Sequence, residues 1–599
     1  MGLFSMTQTA AFAGRLLDQK IATEPMIKTT AFKPSFPLER KSTSLPKCSP
    51  EEEGVPSALI EAFWAAIASD KTLNMHNITI VRNGKILSEA TFGGERMDVW
   101  KYTFSACKSV TSLAIGMLID DGLLDLEDRV VELFPKETSA IAKLKLKDLT
   151  IEDLLTMRSS VSFSELDSAV ETDWIRGFFS SPLKGEIGKT FKYNSLNTYI
   201  LSAIVVRKVG MSLSDFLDRR LFSPLGIARS DWYWETCPLG IEKGGWGLYI
   251  YPEDFAKIAQ LVMQDGVWND MQLVSKDYIR AATMAQVSVV NESRLFDYGY
   301  QIWKGKQSNT FLFNGMLGQN VLGFKDSGII IISNAGNGEL FHQSAFFKYA
   351  TQFFDREFDK EIAFDKKAHM ALQKREVSLS GYTPIARPNI FFRMLRRLGI
   401  IKNPNPGHQF DILEGRQYLY FSGYEKAVGL LPLVLQGVEN CYTKGFYGLS
   451  FEREQGIDVL VYEENDMVHR LPIGYDIPRL IELEFGENHF LASIKGSFKY
   501  DEEDHLVLIV RIDFIEFPSS RILKLVFLDD DTIFVQHDEL PGKQFALTLV
   551  KDYMTEMVEK PFISSVLDRL GGDYIEFKVE RIFSPAITVK QMQNQQSDE

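Results

Sequence analysis

The chain has 599 residues, more than one hydrophobic core organises, and at about 100–200 residues per domain it is expected to hold about two to four domains. Hydrophobic residues make up 45% and charged residues 24%, which excludes a largely disordered chain, a collagen-like one and a coiled-coil rod. The net charge of −14 disfavours nonspecific binding to nucleic acid or to an anionic membrane, and the four cysteines (Cys48, Cys107, Cys237, Cys441) make neither a disulfide scaffold nor a CxxC metal site.

Residues 1–45 read as an N-terminal extension. They lack the basic n-region of a secretory signal, and Met6 stands where a myristoylation pattern wants Ser or Thr. No stretch reaches the roughly 18–20 apolar residues of a membrane span, so a cytoplasmic protein with no membrane span is expected. The Pro, Ser and Thr of 29–46 suggest a linker or a strap along the surface. An amphipathic helix follows over 57–68, with Ser57 as its N-cap. Two β-rich runs then flank Asn83-Gly84, a strong hairpin signal. Residues 105–121 read as a helix apolar nearly all round, ended by Gly122, and such a helix is buried in a domain centre.

Residues 125–290 carry helical patterns punctuated by Gly and Pro. Strand patterns return over 298–333, and a helix over 339–354 closes the unit. Strands at both sequence ends with helices between predict one antiparallel sheet covered by helices, with a helical subdomain inserted. Residues 361–405 read as a charged helical connector, and its 390–402 stretch as a basic amphipathic helix. From about 407 to 550, ten strand-like segments, YLYFSGY, LLPLVLQ and FALTLV among them, alternate apolar and polar residues. They predict an all-β barrel or sandwich, followed by a helix over 551–571 and a disordered end. The expected domains are 46–360, α/β (α+β) in class, and 406–599, the β domain with its terminal helix.

Ser105-Ala106-Cys107-Lys108 is a Ser-x-x-Lys at the start of the buried helix. Positions i and i+3 share a helix face, so hydroxyl and amine can meet. A serine is a poor nucleophile until a base takes its proton, and a desolvated lysine has the lowered pKa to do so. The pattern recurs at 44–47 and 181–184, so context must single out Ser105: the aromatics Trp100, Tyr102 and Phe104 precede it and an apolar helix follows. Tyr193-Asn194-Ser195 lies just before another apolar helix, over 198–209. A tyrosinate near a lysine can act as general base, with Asn194 or Ser195 steadying the network. Asn314-Gly315-Met316 ends a strand, where glycine permits close approach of a substrate. Cys107 reads as a small space-filler. Arg158 is placed at the site's rim or in a surface ion pair, and Trp174, Tyr298, Tyr300 and Trp303 are candidates to line the cleft.

These three pieces, in this order, resemble the penicillin-recognising serine hydrolases: class C β-lactamases, D-Ala-D-Ala carboxypeptidases and related esterases. DGLLDLEDRVVELFP, LTIEDLLTMRSS, LFSPLGI and GGWGLYIYPEDFAKIAQLVMQDGVWN extend the likeness over about 48–355. FKYNSLNTYILSAI and YGYQIW look closest to the branch similar to 6-aminohexanoate-dimer hydrolases and esterases. The resemblance implies a two-step acyl transfer on a small ester or amide substrate. Ser105 is the nucleophile, Lys108 and Tyr193 form the general base, and the amides of Ser105 and Met316 make the oxyanion hole. Ser195, Asn194, Asn314 and Gly315 support them, and no metal or cofactor is required. The strand that carries Lys-Thr-Gly in β-lactamases here reads Phe313-Asn314-Gly315, which lacks the cation for a substrate carboxylate. That favours neutral esters over anionic β-lactams, and Phe313 suggests an apolar pocket. The alternatives are β-lactamase or D-amino-acid peptidase activity, a non-catalytic binding or scaffold protein on the same fold, and a barrel that binds a lipid or peptide.

Overall fold

The computed structural model describes residues 27, 32–290, 293–381, 407–419, 428–443, 445–465, 467–542, 545 and 584–591. These fall into two compact units, one holding the described residues up to 381 and the other those from 407. The segments expected to form the basic helix over 390–402, the helix over 551–571 and the disordered end past 591 lie outside the described residues, as does FALTLV beyond Phe545.

The first unit is built on a seven-stranded antiparallel sheet. Its strands are β1 (Met75–Arg82), β2 (Lys85–Thr91), β3 (Phe296–Tyr298), β4 (Trp303–Gly305), β5 (Thr310–Gly315), β6 (Gln319–Phe324) and β7 (Ile329–Ala335), in the spatial order β2-β1-β7-β6-β5-β4-β3. The first two strands come from one end of the sequence and pair with the last, Ile80 opposite Ile331. The Asn83-Gly84 hairpin forms as expected: both residues take positive φ, 49° and 75°, which suits the right-handed twist of the flanking strands.

Every residue of β1, β5, β6 and β7 is buried, because helices cover both faces of the sheet. Phe311, Phe313, Ile330 and Ile332 pack on the large helical layer. Their sequence neighbours Leu312, Ile329 and Ile331 pack on the other side, against Phe63 and Trp64 of helix α1 (Ser57–Ser69). This explains an uninterrupted run of four isoleucines in an antiparallel strand.

Helix α2 (Lys108–Asp120) lies inside the helical layer, and all its residues but the last two are buried. It packs on α3 (Ser195–Val209), while α4 (Pro252–Met263) lies against the sheet. Helices α5 (Ala345–Phe354) and α6 (Lys366–Leu379) pack with α1 on the far face. Residues 40–45 run along the helical layer as a strap: Arg40 pairs with Glu253 and Asp254, and Lys41 and Ser42 donate to the Asp231 carboxylate. Among the described residues no helix is long and apolar enough to cross a membrane.

Three local expectations are corrected. The N-cap of α1 is Pro56, and the Ser57 amide is taken by the Glu51 carboxylate. The Ser105 helix is a 3₁₀ turn, Phe104–Cys107, running into α2 at Lys108. The closing helix starts at Ala345, because residues 336–344 form a loop held by other contacts.

The second unit is a ten-stranded antiparallel sheet in one order, from Met467–Pro472 at one edge to Arg479–Phe485 at the other. Those edges are consecutive in sequence and approach each other, so the sheet curls into a nearly closed barrel. Leu523 and Leu525 face Ile533, Val535, Val510 and Ile512 inside, while Ile522 and Lys524 face outward. The expected strand LLPLVLQ is instead a helix over Leu433–Glu439, and Met467–Pro472 and Ala586–Gln591 are strands that hydrophobic alternation did not single out. Inside the barrel Arg521 forms an ion pair with Glu539 at 3.1 Å and donates to the Leu431 carbonyl at 3.0 Å, with both charged side chains 1% exposed. Burial pushes the Glu539 carboxyl up to about 7. Arg521→Met is therefore expected to cost the barrel about 3–5 kcal/mol, by stranding Glu539 without its partner, whereas Arg521→Met with Glu539→Leu recovers most of it. Urea unfolding of the two variants measures both.

Candidate active site

The strand residues Lys101–Tyr102 pair with Leu248–Ile250, and the Thr103 amide and hydroxyl both donate to the Leu248 carbonyl at 2.9 Å. The chain leading to Ser105 is thus pinned before it turns. Phe104 then adopts φ 46°, a left-handed backbone that an aromatic residue takes only when its surroundings impose it. Tyr102, edge-on to Phe104 at 4.7 Å and to Tyr249 at 4.8 Å, supplies part of that surrounding. The turn presents Ser105, which is partly exposed, above the buried start of α2.

Lys108 is 1% exposed. Its Nζ donates to Ser105 Oγ at 2.8 Å, to Ser195 Oγ at 2.8 Å and to the Gly245 carbonyl at 2.6 Å. Burial lowers its pKa to about 8, only partly offset by electrostatic interaction with its neighbours Cys107 and Glu165. Ser195 opens α3, and Asn194 caps that helix by accepting from the Leu196 amide at 2.9 Å while donating to the carbonyls of Val161 and Phe163. Asn194 thereby fixes where Tyr193 and Ser195 sit.

Tyr193 presents its ring face to Lys108, with Nζ 4.9 Å from the ring centroid, and the Ser105 side chain acts electrostatically on its phenol. Burial pushes the phenol well above its usual range. Trp303 stacks on Tyr193 at 5.9 Å and 16°, and Phe341 meets it edge-on at 5.2 Å.

On the third side, β5 ends at Gly315. A Cβ there would fall 2.2 Å from the Thr103 carbonyl oxygen, so only glycine lets this strand end lie against the Ser105 turn. That approach brings the end of β5 beside the Phe104–Cys107 turn. Asn314 donates to Asn320 Oδ1 at 2.7 Å, across the β5–β6 pair.

The remaining expectations divide. Cys107 is a buried filler near the carbonyls of Phe104 and Gly244, and its thiol is pushed up to about 12 by desolvation. Arg158 bonds Thr156 and the Gly188 carbonyl and lies near Glu152, so it ties down the chain approaching Tyr193. Trp303 joins the site through Tyr193. Tyr298 is buried edge-on behind Trp303, Tyr300 points to Glu152, and Trp174 stacks on Trp246. Phe313 is corrected: it is fully buried between Phe311 and Phe255 in the core, and its ring lines no pocket there.

Two participants escaped motif reading. Gly245 acts through its carbonyl, which no side-chain pattern reveals, although Gly244-Gly245 is a visible glycine pair. Glu165 accepts from the Ser195 amide at 3.1 Å and adds negative charge near Lys108 and Tyr193, from a short helix thirty residues upstream of Ser195.

A seven-stranded antiparallel sheet between helical layers, with a Ser-x-x-Lys turn opening the buried helix, defines a β-lactamase-like fold. Residues 59–338 match the family model described as Beta-lactamase. A lovastatin esterase of Penicillium rubens is 25% identical over 23% of this chain and 41% of its own length. A 6-aminohexanoate-dimer hydrolase of Paenarthrobacter ureafaciens is 24% identical over 34% and 55%. The chain spans about half the length of these curated relatives. Among solved structures, a penicillin-binding protein from Bacillus halodurans is 17% identical, with a TM-score of 0.39 over 48% of this chain and 97% of that one.

Gly245→Ala tests the carbonyl's part. Its Cβ would fall 2.6 Å from the Ser195 carbonyl, so the segment must shift and take an acceptor from Lys108. The expected outcome is a folded protein, by circular dichroism, whose Ser105 is labelled by a fluorophosphonate at least about tenfold more slowly.

Proposed function

We propose that this protein is a serine hydrolase that cleaves a small ester or amide through an acyl-Ser105 intermediate, with the hydrolase domain over 46–360. The observation that carries this reading is Lys108, held in a dry setting 2.8 Å from Ser105 Oγ. An amine whose pKa has fallen to about 8 is matched to accept a proton near neutral pH, which an ordinary lysine is not.

In this reading neutral Lys108 takes the Ser105 proton as Oγ bonds to the substrate carbonyl carbon. The amides of Ser105 and Met316 stabilise the oxyanion. The proton then passes to the departing alkoxide or amine, and Tyr193 is the relay. This differs from a tyrosinate base for a physical reason: the Tyr193 phenol is pushed up by burial, and Lys108 meets its ring face, so the phenol stays protonated and donates. Water then attacks the acyl-enzyme and the steps reverse.

The curated relatives' names favour esters and amides: one is a lovastatin esterase, the other hydrolyses the 6-aminohexanoate dimer. Phe313-Asn314-Gly315 offers no cation on its strand for a substrate carboxylate.

Ser105→Ala is expected to abolish the burst with a p-nitrophenyl ester and all fluorophosphonate labelling; retention of either in the variant refutes the assignment. For wild type, kcat/KM on a neutral ester should rise about tenfold per pH unit below pH 8 and level off above it, because only the deprotonated amine is competent. Lys108→Arg, which keeps its proton throughout, should be inactive across that range. Nitrocefin should turn over far more slowly than p-nitrophenyl acetate; comparable rates overturn the substrate preference.

A further inference from the structure

The Met316–Gly318 turn is not shaped by its own sequence. Leu317 sits at φ 66°, a left-handed conformation a leucine does not adopt unaided. Two backbone hydrogen bonds hold it there, and both reach the same distant loop. The Leu317 amide donates to the Glu339 carbonyl at 2.8 Å, and the Asn337 amide donates to the Leu317 carbonyl at 3.0 Å. Gly318 packs against this loop: a Cβ on it would lie 3.0 Å from Asn337 Nδ2 and 3.4 Å from Glu339 Oε1.

The loop in turn is organised by one buried carboxylate, which the mechanism above does not use. Glu339 is 5% exposed. Its Oε1 accepts from Asn337 Nδ2 at 3.3 Å, and its Oε2 accepts from the Ser344 amide at 2.7 Å, at the N-terminus of α5, where a negative charge is favoured. Asn337 Oδ1 anchors the loop to the sheet by accepting from the Asn74 amide at 2.7 Å. The same loop carries Phe341, packed on Tyr193, and His342, edge-on to Trp303 at 4.6 Å.

We propose that loop 336–344 sets the conformation of the oxyanion turn, and that Glu339 is the positioning residue that holds the loop in register with it. Glu339 touches neither Ser105 nor Lys108. It acts through Leu317, whose peptide neighbours the Met316 amide. The same loop ties the oxyanion side of the site to the aromatic wall behind Tyr193. This rests on the acyl-serine reading, since an oxyanion turn has meaning only for that chemistry.

The test compares full-length wild type, Glu339→Gln and Asn337→Ala on p-nitrophenyl acetate, with phenylboronic acid as a tetrahedral mimic of the transition state. Glutamine turns a donor toward either Asn337 Nδ2 or the Ser344 amide, so one contact is lost in either orientation; Asn337→Ala removes the partner instead. Both variants are expected to lose about 10–100-fold in kcat with KM changed by less than about threefold, and to bind the boronate more weakly by the same factor as kcat/KM falls. A general loosening of the fold would not produce that split. If a variant with wild-type circular dichroism keeps wild-type kcat and boronate affinity, the proposal is overturned. It is equally overturned if KM rises while kcat holds, since the loop then shapes ground-state binding. Should Glu339→Gln fail to fold, Asn337→Ala decides alone. Wild-type Ser105 that resists fluorophosphonate refutes the hydrolase reading itself, a result independent of any difference between the variants.

Discussion

An amine buried at the start of a helix is the constraint on which the first unit depends. Lys108 is 1% exposed, and a charged or polar nitrogen in that position is tolerated only if its hydrogens are all accepted. Three oxygens do this, and they come from three parts of the chain: Ser105 from the preceding turn, Ser195 from the first position of α3, and Gly245 from the segment that leads into a short strand. Bringing them together dictates much else. The Ser105 turn must be pinned through Thr103, α3 must start where Asn194 caps it, and glycine must stand at 245 so that the segment clears the Ser195 carbonyl.

The sheet serves this arrangement from behind. Because helical layers pack on both its faces, slipping a strand by one residue would swap the side chains fitted to each layer and break the packing on both. The register that sets Ile80 opposite Ile331 also sets where β5 ends, and Gly315 lets that end press against the Thr103 carbonyl. The same wall continues through Tyr193, Trp303 and Phe341. The Phe313 side chain, one residue from Asn314, points instead into the core toward Phe255, which is why an apolar pocket inferred from it does not hold.

Different parts of the molecule were legible to different degrees. The Asn83-Gly84 hairpin and the buried helix after Ser105 could be read directly, since a turn type and an all-round apolar surface each follow from local chemistry. So could the all-β class of the second unit, from the alternation in segments such as Leu506–Phe514, while the choice between barrel and sandwich fell to the pairing of the strands. LLPLVLQ misled because a run of leucines and a valine satisfies a strand and a buried helix alike, and the choice falls to the packing partners. Ala586–Gln591 is short and polar on one face, and it is a strand because two neighbours supply its hydrogen bonds.

The sequence by itself determined the Ser-x-x-Lys face, the identity of Tyr193 and Ser195 as candidates, and the lack of a cation beside Gly315. These are statements about which side chains exist and how few residues separate them. Only the tertiary structure decided that Lys108 meets the ring face of Tyr193, that the Gly245 carbonyl accepts from Lys108 and the Glu165 carboxylate from the Ser195 amide, and that the Glu339 carbonyl accepts from the Leu317 amide. The reason is physical: a pKa is set by burial and a backbone conformation by long-range hydrogen bonds, and neither is encoded in the residues within a few positions of the group they act on.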